Sequence, residues 1–398
     1  MIIGEPDFRH LGKSQFSKLG GLLIVAFHMI FRDRAKYLTL VGGLAFCTLL
    51  ISQQFGVFCG VMLLTASTLR NIGAEIWVMD RDGRQVNQVV PMRSIEVQRV
   101  RSVPGVGWAV PLIWTVTSAR LPDGSTETFQ LVGLDSASLA GRPGRMLEGR
   151  VEDLRMPNAV ILDQVAIERF AQKGVKANLG STLEINDREV RVVGFCHTDR
   201  SFLGYPYAFT AYETALDCIP PERKTLSYIL AKASPGNSPE DVAAAIGRLP
   251  GLRALTSRDF AWATMVWFFK NTGVPLSFAI VVAMGLFIGL SVTGLTFLMF
   301  VQDNLRHLAA MKAMGAGFRD LSLMLAFQAL FVGLVGYGIG LGLTALFGAA
   351  VLPKGVPAFF LPWQAPLVVG VLLLVVCLSA AALGIARLAR SETAMVFK

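Results

Sequence analysis

Gly12-Lys13-Ser14 has the residue order that closes a phosphate-binding loop. In such a loop backbone amides cradle the phosphates and the lysine reaches the outermost ones. The spacing rules the chemistry out. The loop needs a second glycine five residues before Gly12, and that position is Asp7. It also needs a preceding apolar strand, which 4–10 is not. Cys196-His197 looks like half of a metal site, but such sites take three or four ligands. No second cluster of ligand types accompanies it in the sequence. Cys196 and Cys218 could pair, although nothing in the sequence sets their distance. His10, His28, His197 and His307 suggest no Ser/His/Asp grouping by position. The expectation is a chain that does no bond chemistry, with no catalytic residue, cofactor or metal of its own.

What must be positioned is therefore a surface or a lever, and the distribution of charge shows where. Four stretches, 37–69, 272–302, 321–353 and 355–386, contain no Asp, Glu, Lys or Arg. A helix crosses a bilayer core with about 20 apolar residues. A charge at the centre of such a helix costs roughly 2.5–3.5 kcal/mol. The expected fold is a membrane α-helical protein with four spans in a 1 + 3 arrangement. Between the first two spans lies a long polar stretch, 70–271, which carries most of the charges of both signs. It is long enough to bury its own core.

Orientation follows from the short segments. Arg9, Lys13, Lys18, Arg32, Arg34 and Lys36 precede the first span, and Arg306, Lys312 and Arg319 follow the second. Arg387, Arg390 and Lys398 end the chain, while the remaining short connector holds only Lys354. Both termini and 303–320 are expected in the cytoplasm, and 70–271 outside. The polar stretch is nearly neutral overall and gives no argument for nucleic acid. No signal-peptide cleavage site is expected after the apolar residues 22–30, because Arg32-Asp33-Arg34 follows them. Leu19, Leu22, Leu23, Ala26, Phe27 and Ile30 recur at helical spacing, which reads as an amphipathic helix along the inner membrane surface or as part of a helical hairpin.

The organisation expected is a cytoplasmic N-terminus (1–36), a first span with stalk (37–69) and an outer α/β domain (70–271). A stalk with second span (272–302), a cytoplasmic connector (303–320) and a third span (321–350) follow. An external connector (351–363), a fourth span (364–386) and a cytoplasmic tail (387–398) complete it. In the outer domain, Gly107–Arg120 and Ser125–Leu134 flank the turn Leu121-Pro122-Asp123-Gly124. Thr182–Ile185 and Glu189–Phe195 flank Asn186-Asp187-Arg188, a second hairpin signal. Ala159–Leu162 leads into a helix from Gln164, and Ser238-Pro239-Glu240-Asp241 is a helix start. The order suggests two small subdomains rather than one large sheet. Glycine pairs at GxxxG spacing, Gly56/Gly60, Gly285/Gly289, Gly336/Gly340 and Gly338/Gly342, read as close helix packing, with a homodimer seam or a pathway as the sharper alternative.

The connector carries the sharpest motif, Asn304-Leu305-Arg306-His307-Leu308-Ala309-Ala310-Met311-Lys312-Ala313-Met314-Gly315-Ala316. Leu305, Leu308 and Lys312 share a helical face, with Met311 beside them. Gly315 then supplies a turn where a side chain would obstruct. This segment resembles the cytoplasmic coupling helix of FtsX-like/MacB-like ABC transporter permeases. Leu131-Val132-Gly133-Leu134-Asp135 and the run from Leu179 to Ile185 also resemble that family. Ser102–Val106 and Glu148–Leu154 look closest to its DevC-like, heterocyst glycolipid exporter type. His307 and Ala309 depart from the usual acid and glycine.

The resemblance implies a homodimeric permease in a bacterial inner membrane. It would work with two copies of a separate ATPase, which binds the ATP and magnesium. Leu305, Arg306, Leu308, Met311, Lys312, Met314 and Gly315 would be the ATPase-coupling residues. A periplasmic adaptor and a TolC-like outer-membrane channel are implied partners, besides membrane lipid. An FtsX-type mechanotransmitter without cargo and a membrane-anchored sensor remain as alternative readings. The cargo is open between glycolipid, lipoprotein, peptide and drug.

Overall fold

The computed structural model describes residues 27–29, 34–220, 225–352 and 358–390. The expected amphipathic helix over 19–30 lies almost wholly outside these residues, as does most of the tail. The described chain divides into two compact units, one built from the segments up to Gly60 and after Val274, the other from Val61–Val274.

The first unit holds four helices long and apolar enough to cross a membrane: Arg34–Thr65, Val274–Asp303, Phe318–Val351 and Gln364–Ala386, the last continuing to Arg390. Their apolar character runs around the whole circumference, as lipid demands of a spanning helix. The first is 32 residues long, or about 48 Å, well beyond the ~30 Å of a bilayer core. The helices meet over a shared core that includes Leu44, Cys47, Ile51, Phe297, Val301, Leu325, Val369 and Cys377.

Small residues set how closely they approach. A Cβ on Gly340 would lie 2.5 Å from the Thr48 Cβ and 2.6 Å from the Ala45 carbonyl oxygen. One on Gly336 would lie 2.7 Å from the Leu44 Cβ. The first and third spans thus touch almost backbone to backbone, and Ser52 and Thr344 share a buried hydroxyl–hydroxyl hydrogen bond of 2.6 Å there. Gly289 and Gly285 face Cys47 and Ile51 of the first span, and Gly56 and Gly60 face Phe359 and Ala358. Three of the four GxxxG pairs therefore seat neighbouring segments of the same chain. The fourth, Gly338/Gly342, meets nothing within 4 Å.

The second unit is a mixed α/β domain. Its strands are β1 (Ile76–Asp80), β2 (Val106–Arg120), β3 (Thr126–Leu134), β4 (Arg145–Gly149), β5 (Ala159–Asp163), β6 (Thr182–Ile185), β7 (Arg188–His197), β8 (Tyr207–Ala211), β9 (Tyr228–Ala233) and β10 (Leu252–Thr256). They follow one hydrogen-bonded path, β10-β1-β9-β2-β3-β8-β5-β7-β4, with β6 against β2 and β7. The sequence suggested two separate blocks. Among the described residues the two blocks instead form one ten-stranded sheet, joined by the 15-residue β2, which corrects the expectation of two subdomains rather than one large sheet. Its first half, Val106–Leu112, pairs with β9, and its second half, Ile113–Arg120, pairs with β3. A strand this long can pair with both blocks and still keep each register.

Both hairpins form where the turn residues predict them. Gly124 takes φ +84°, and Asp123 accepts hydrogen bonds from the Ser125 amide and hydroxyl. Asn186 and Asp187 both have positive φ, the geometry of a two-residue hairpin turn. Ser238 caps the helix Pro239–Ile246, its hydroxyl accepting from the Asp241 amide. β8 shows no alternation in the sequence, since every residue in it is buried.

Asp163 ends β5 and caps the helix Gln164–Gln172, accepting from the Ala166 amide at 3.0 Å and the Thr198 hydroxyl at 3.0 Å. It is 1% exposed. Burial pushes its carboxyl up to about 6, against these hydrogen bonds and the Arg200 charge. A carboxyl whose pKa rises on folding is stabilising in its protonated form. Its full contribution is present below about pH 4 and is lost as pH rises through about 6. A rise of about two units corresponds to ~3 kcal/mol. The midpoint of thermal unfolding followed on the outer domain is expected to fall between pH 4 and 6, and Asp163→Asn to flatten that fall. An identical slope in the variant would refute this account of Asp163.

Candidate coupling site

The second span ends at Asp303, and one residue later a new helix runs over Leu305–Ala313. Asn304 makes the break, its amide side chain donating to the Phe300 carbonyl at 2.9 Å. The Leu308 amide donates back to the Asn304 carbonyl at 2.9 Å. The short helix is thus joined to the span by hydrogen bonds across the joint rather than by a slack loop.

Its far end is a complete Schellman turn. The Ala316 amide donates to the Met311 carbonyl at 3.0 Å and the Gly315 amide to the Lys312 carbonyl at 3.1 Å. Gly315 takes φ +99°. A Cβ there would meet nothing within 4 Å. The expectation that a side chain at 315 would obstruct is therefore corrected. Glycine is needed for the left-handed backbone, not for room. Gly317 then begins the third span, its amide donating to the Asp320 carboxylate at 3.1 Å.

The sequence placed Leu305, Leu308, Met311 and Lys312 on one face offered to a partner. The structure divides them. Leu308 is 0% exposed and belongs to the core of the spans, with Leu305 and Met311 packed against the same cluster. This apolar face holds the helix to its own chain. The reason lies in the period: Phe297, Val301, Leu305 and Leu308 continue one buried stripe from the second span across the Asn304 joint. Arg306, Lys312, Met314 and Gly315 are exposed. Met314 is 79% exposed, and Phe318, just beyond the turn, 47%. The outward surface is thus two cations and two large apolar side chains flanking a rigid turn. Phe318 was not singled out from sequence; an aromatic residue placed just after a glycine turn was the available signal.

Lys36 at the start of the first span forms an ion pair with Asp303 at the end of the second. Asp303 is exposed and Lys36 about one-third exposed, so the pair orients the helix ends more than it stabilises them. In the outer domain Cys196 and Cys218 are both free, buried thiols. Among the described residues no three His, Cys, Asp or Glu side chains gather as metal ligands.

Residues 38–249 match the MacB-like periplasmic core domain, more than half of the chain. Residues 279–393 match the FtsX-like permease C-terminal family, a range that includes the helix Leu305–Ala313. This chain belongs to the FtsX-like/MacB-like permease family. The permease is a multi-pass membrane protein with a periplasmic-type domain between its first and second spans, and members of the family serve as membrane components of ABC transporters beside a partner ATPase. Among solved structures it is similar to the extracellular domain of the noncanonical ABC-type transporter YknZ from Gram-positive bacteria, at 14% identity and TM-score 0.35, covering 46% of this chain and 98% of that one. The periplasmic region of MacB from Actinobacillus actinomycetemcomitans is similar at 16% identity and TM-score 0.36, covering 51% and 96%. The family assignment rests on the two sequence matches. No curated protein matches the chain.

Proposed function

We propose that this permease is the homodimeric membrane subunit of a DevC-like exporter in a bacterial inner membrane. A separate ATPase, binding ATP and magnesium, drives motion of the outer domain that moves a lipid or other amphipathic cargo through an adaptor and an outer-membrane channel. One observation carries this reading. The helix Leu305–Ala313 is anchored to the spans by Leu308, and with the turn and helix start that follow it presents Arg306, Lys312, Met314 and Phe318 outward. A soluble partner that pushes on this surface pushes on the spans, because the joint at Asn304 is hydrogen-bonded and the far turn is closed. An FtsX-type mechanotransmitter would share the same coupling machinery and is the alternative reading.

The purified permease alone is expected to show no ATP turnover. Reconstituted in vesicles with its ATPase, it is expected to hydrolyse ATP and to extract a fluorescent amphipathic lipid in an ATP-dependent way. ATP turnover with no cargo movement across a lipid, peptide and drug panel would favour the mechanotransmitter. Turnover by the chain alone would overturn both.

A further inference from the structure

At the cytoplasmic ends of the spans the membrane unit contains a polar cavity of about 540 Å3. Its walls include Arg34 and Lys36 from the start of the first span, Phe300 and Asp303 from the end of the second, and Asn304 and His307 from the coupling segment. Lys36 and Asp303 are 267 residues apart in sequence. The orienting charge bias accounts for Arg34 and Lys36 beside the first span, but not for Asp303, Asn304 and His307, which the end of the second span and the coupling segment bring to the same cavity.

We propose that this cavity binds the phosphate headgroup of an anionic phospholipid of the inner leaflet. Asp303 holds Lys36 in place through their ion pair. Arg34 brings a planar fork of donors that matches phosphate oxygens. Asp303 offsets one positive charge, so Arg34 and Lys36 leave the lining cationic. Met29, partly exposed, and Phe300 give the cavity an apolar side, which a lipid's upper acyl chain can cover and a hydrated soluble anion cannot. Basic pockets between transmembrane helices on the cytoplasmic side are where anionic headgroups settle. The site touches both ends of the lever: the first span on one side, and the coupling helix through His307 on the other. A bound headgroup would bridge the two segments that the ATPase moves.

The test uses the full-length permease in phosphatidylcholine nanodiscs with and without a minor fraction of phosphatidylglycerol. Lipid retained on gentle release is counted by native mass spectrometry. Wild type is expected to keep phosphatidylglycerol in preference to phosphatidylcholine. Arg34→Gln is expected to lower that preference by about five-fold, the effect of one basic side chain near an anionic headgroup. Arg34→Lys should restore part of it. Arg319→Gln, which removes an exposed cation outside the cavity, should change nothing. Equal loss in Arg319→Gln would reduce the effect to diffuse surface charge and overturn the site. So would an unchanged Arg34→Gln. Displacement of the lipid by millimolar inorganic phosphate would assign the cavity to a soluble anion and overturn the lipid assignment.

Discussion

Met314→Asp is expected to yield a folded permease that no longer recovers its ATPase, and Leu308→Asp a permease that does not fold. The two residues stand six apart on the same short segment, yet their surroundings are opposite. Met314 is 79% exposed at the end of the helix Leu305–Ala313, so a carboxylate there meets water in the free protein. In the complex it would replace a large apolar contact by a desolvated charge. Losing an anchor of that kind costs ~2 kcal/mol or more, about thirty-fold in affinity. Leu308 is 0% exposed among Leu305, Met311 and the spans. An unpaired charge in such a place costs about 3–5 kcal/mol. Pull-down of the ATPase on each variant, together with size-exclusion profiles in detergent, separates the outcomes. Full ATPase recovery by Met314→Asp with export intact would remove the outward surface as the docking site. A monodisperse Leu308→Asp would mean that this leucine does not hold the helix to the spans.

Gly340→Leu is expected to part the first and third spans. Its Cβ would fall within 2.6 Å of the Ala45 carbonyl oxygen, and backbone cannot yield as a side chain can. Overpacking typically costs 1–3 kcal/mol, occasionally more. Here the Ser52–Thr344 hydrogen bond would be stretched as well, a further ~0.6 kcal/mol. Gly342→Leu, two residues on, meets nothing within 4 Å and serves as the control. The thermal midpoint of the detergent-solubilised protein should drop for Gly340→Leu and stay close to wild type for Gly342→Leu. Similar midpoints for the two would sink the claim that Gly340 sets the spacing of these spans.

Most of the architecture was written in one-dimensional patterns. Charge-free stretches announce spans because lipid tolerates no unpaired charge, and no tertiary partner changes that cost. The hairpins at Gly124 and Asn186-Asp187 and the helix start at Ser238 are local, since each depends on a backbone conformation or a cap supplied within a few residues. The turn at Gly315 was equally visible as a position, though its cause was not: φ +99° in open space is a statement about backbone, and only coordinates separate that from crowding.

What the tertiary structure alone decided was which side each face turns to. The stripe of Leu305, Leu308 and Met311 is apolar whether it meets a partner or its own spans, so the helical period could not choose between them. The continuation of that stripe from Phe297 and Val301 through the Asn304 joint turns it inward and leaves Met314 and Phe318 outward. The glycine pairs were ambiguous in the same way, because GxxxG spacing makes a flat surface and does not name its neighbour. Gly336 and Gly340 found the first span, while Gly338 and Gly342, offset by about 200° around the same helix, did not. Lys36 and Asp303, 267 residues apart, became neighbours only once the first two spans packed side by side. Local chemistry determined the elements of this permease. Long-range packing determined which of their surfaces remain free to work.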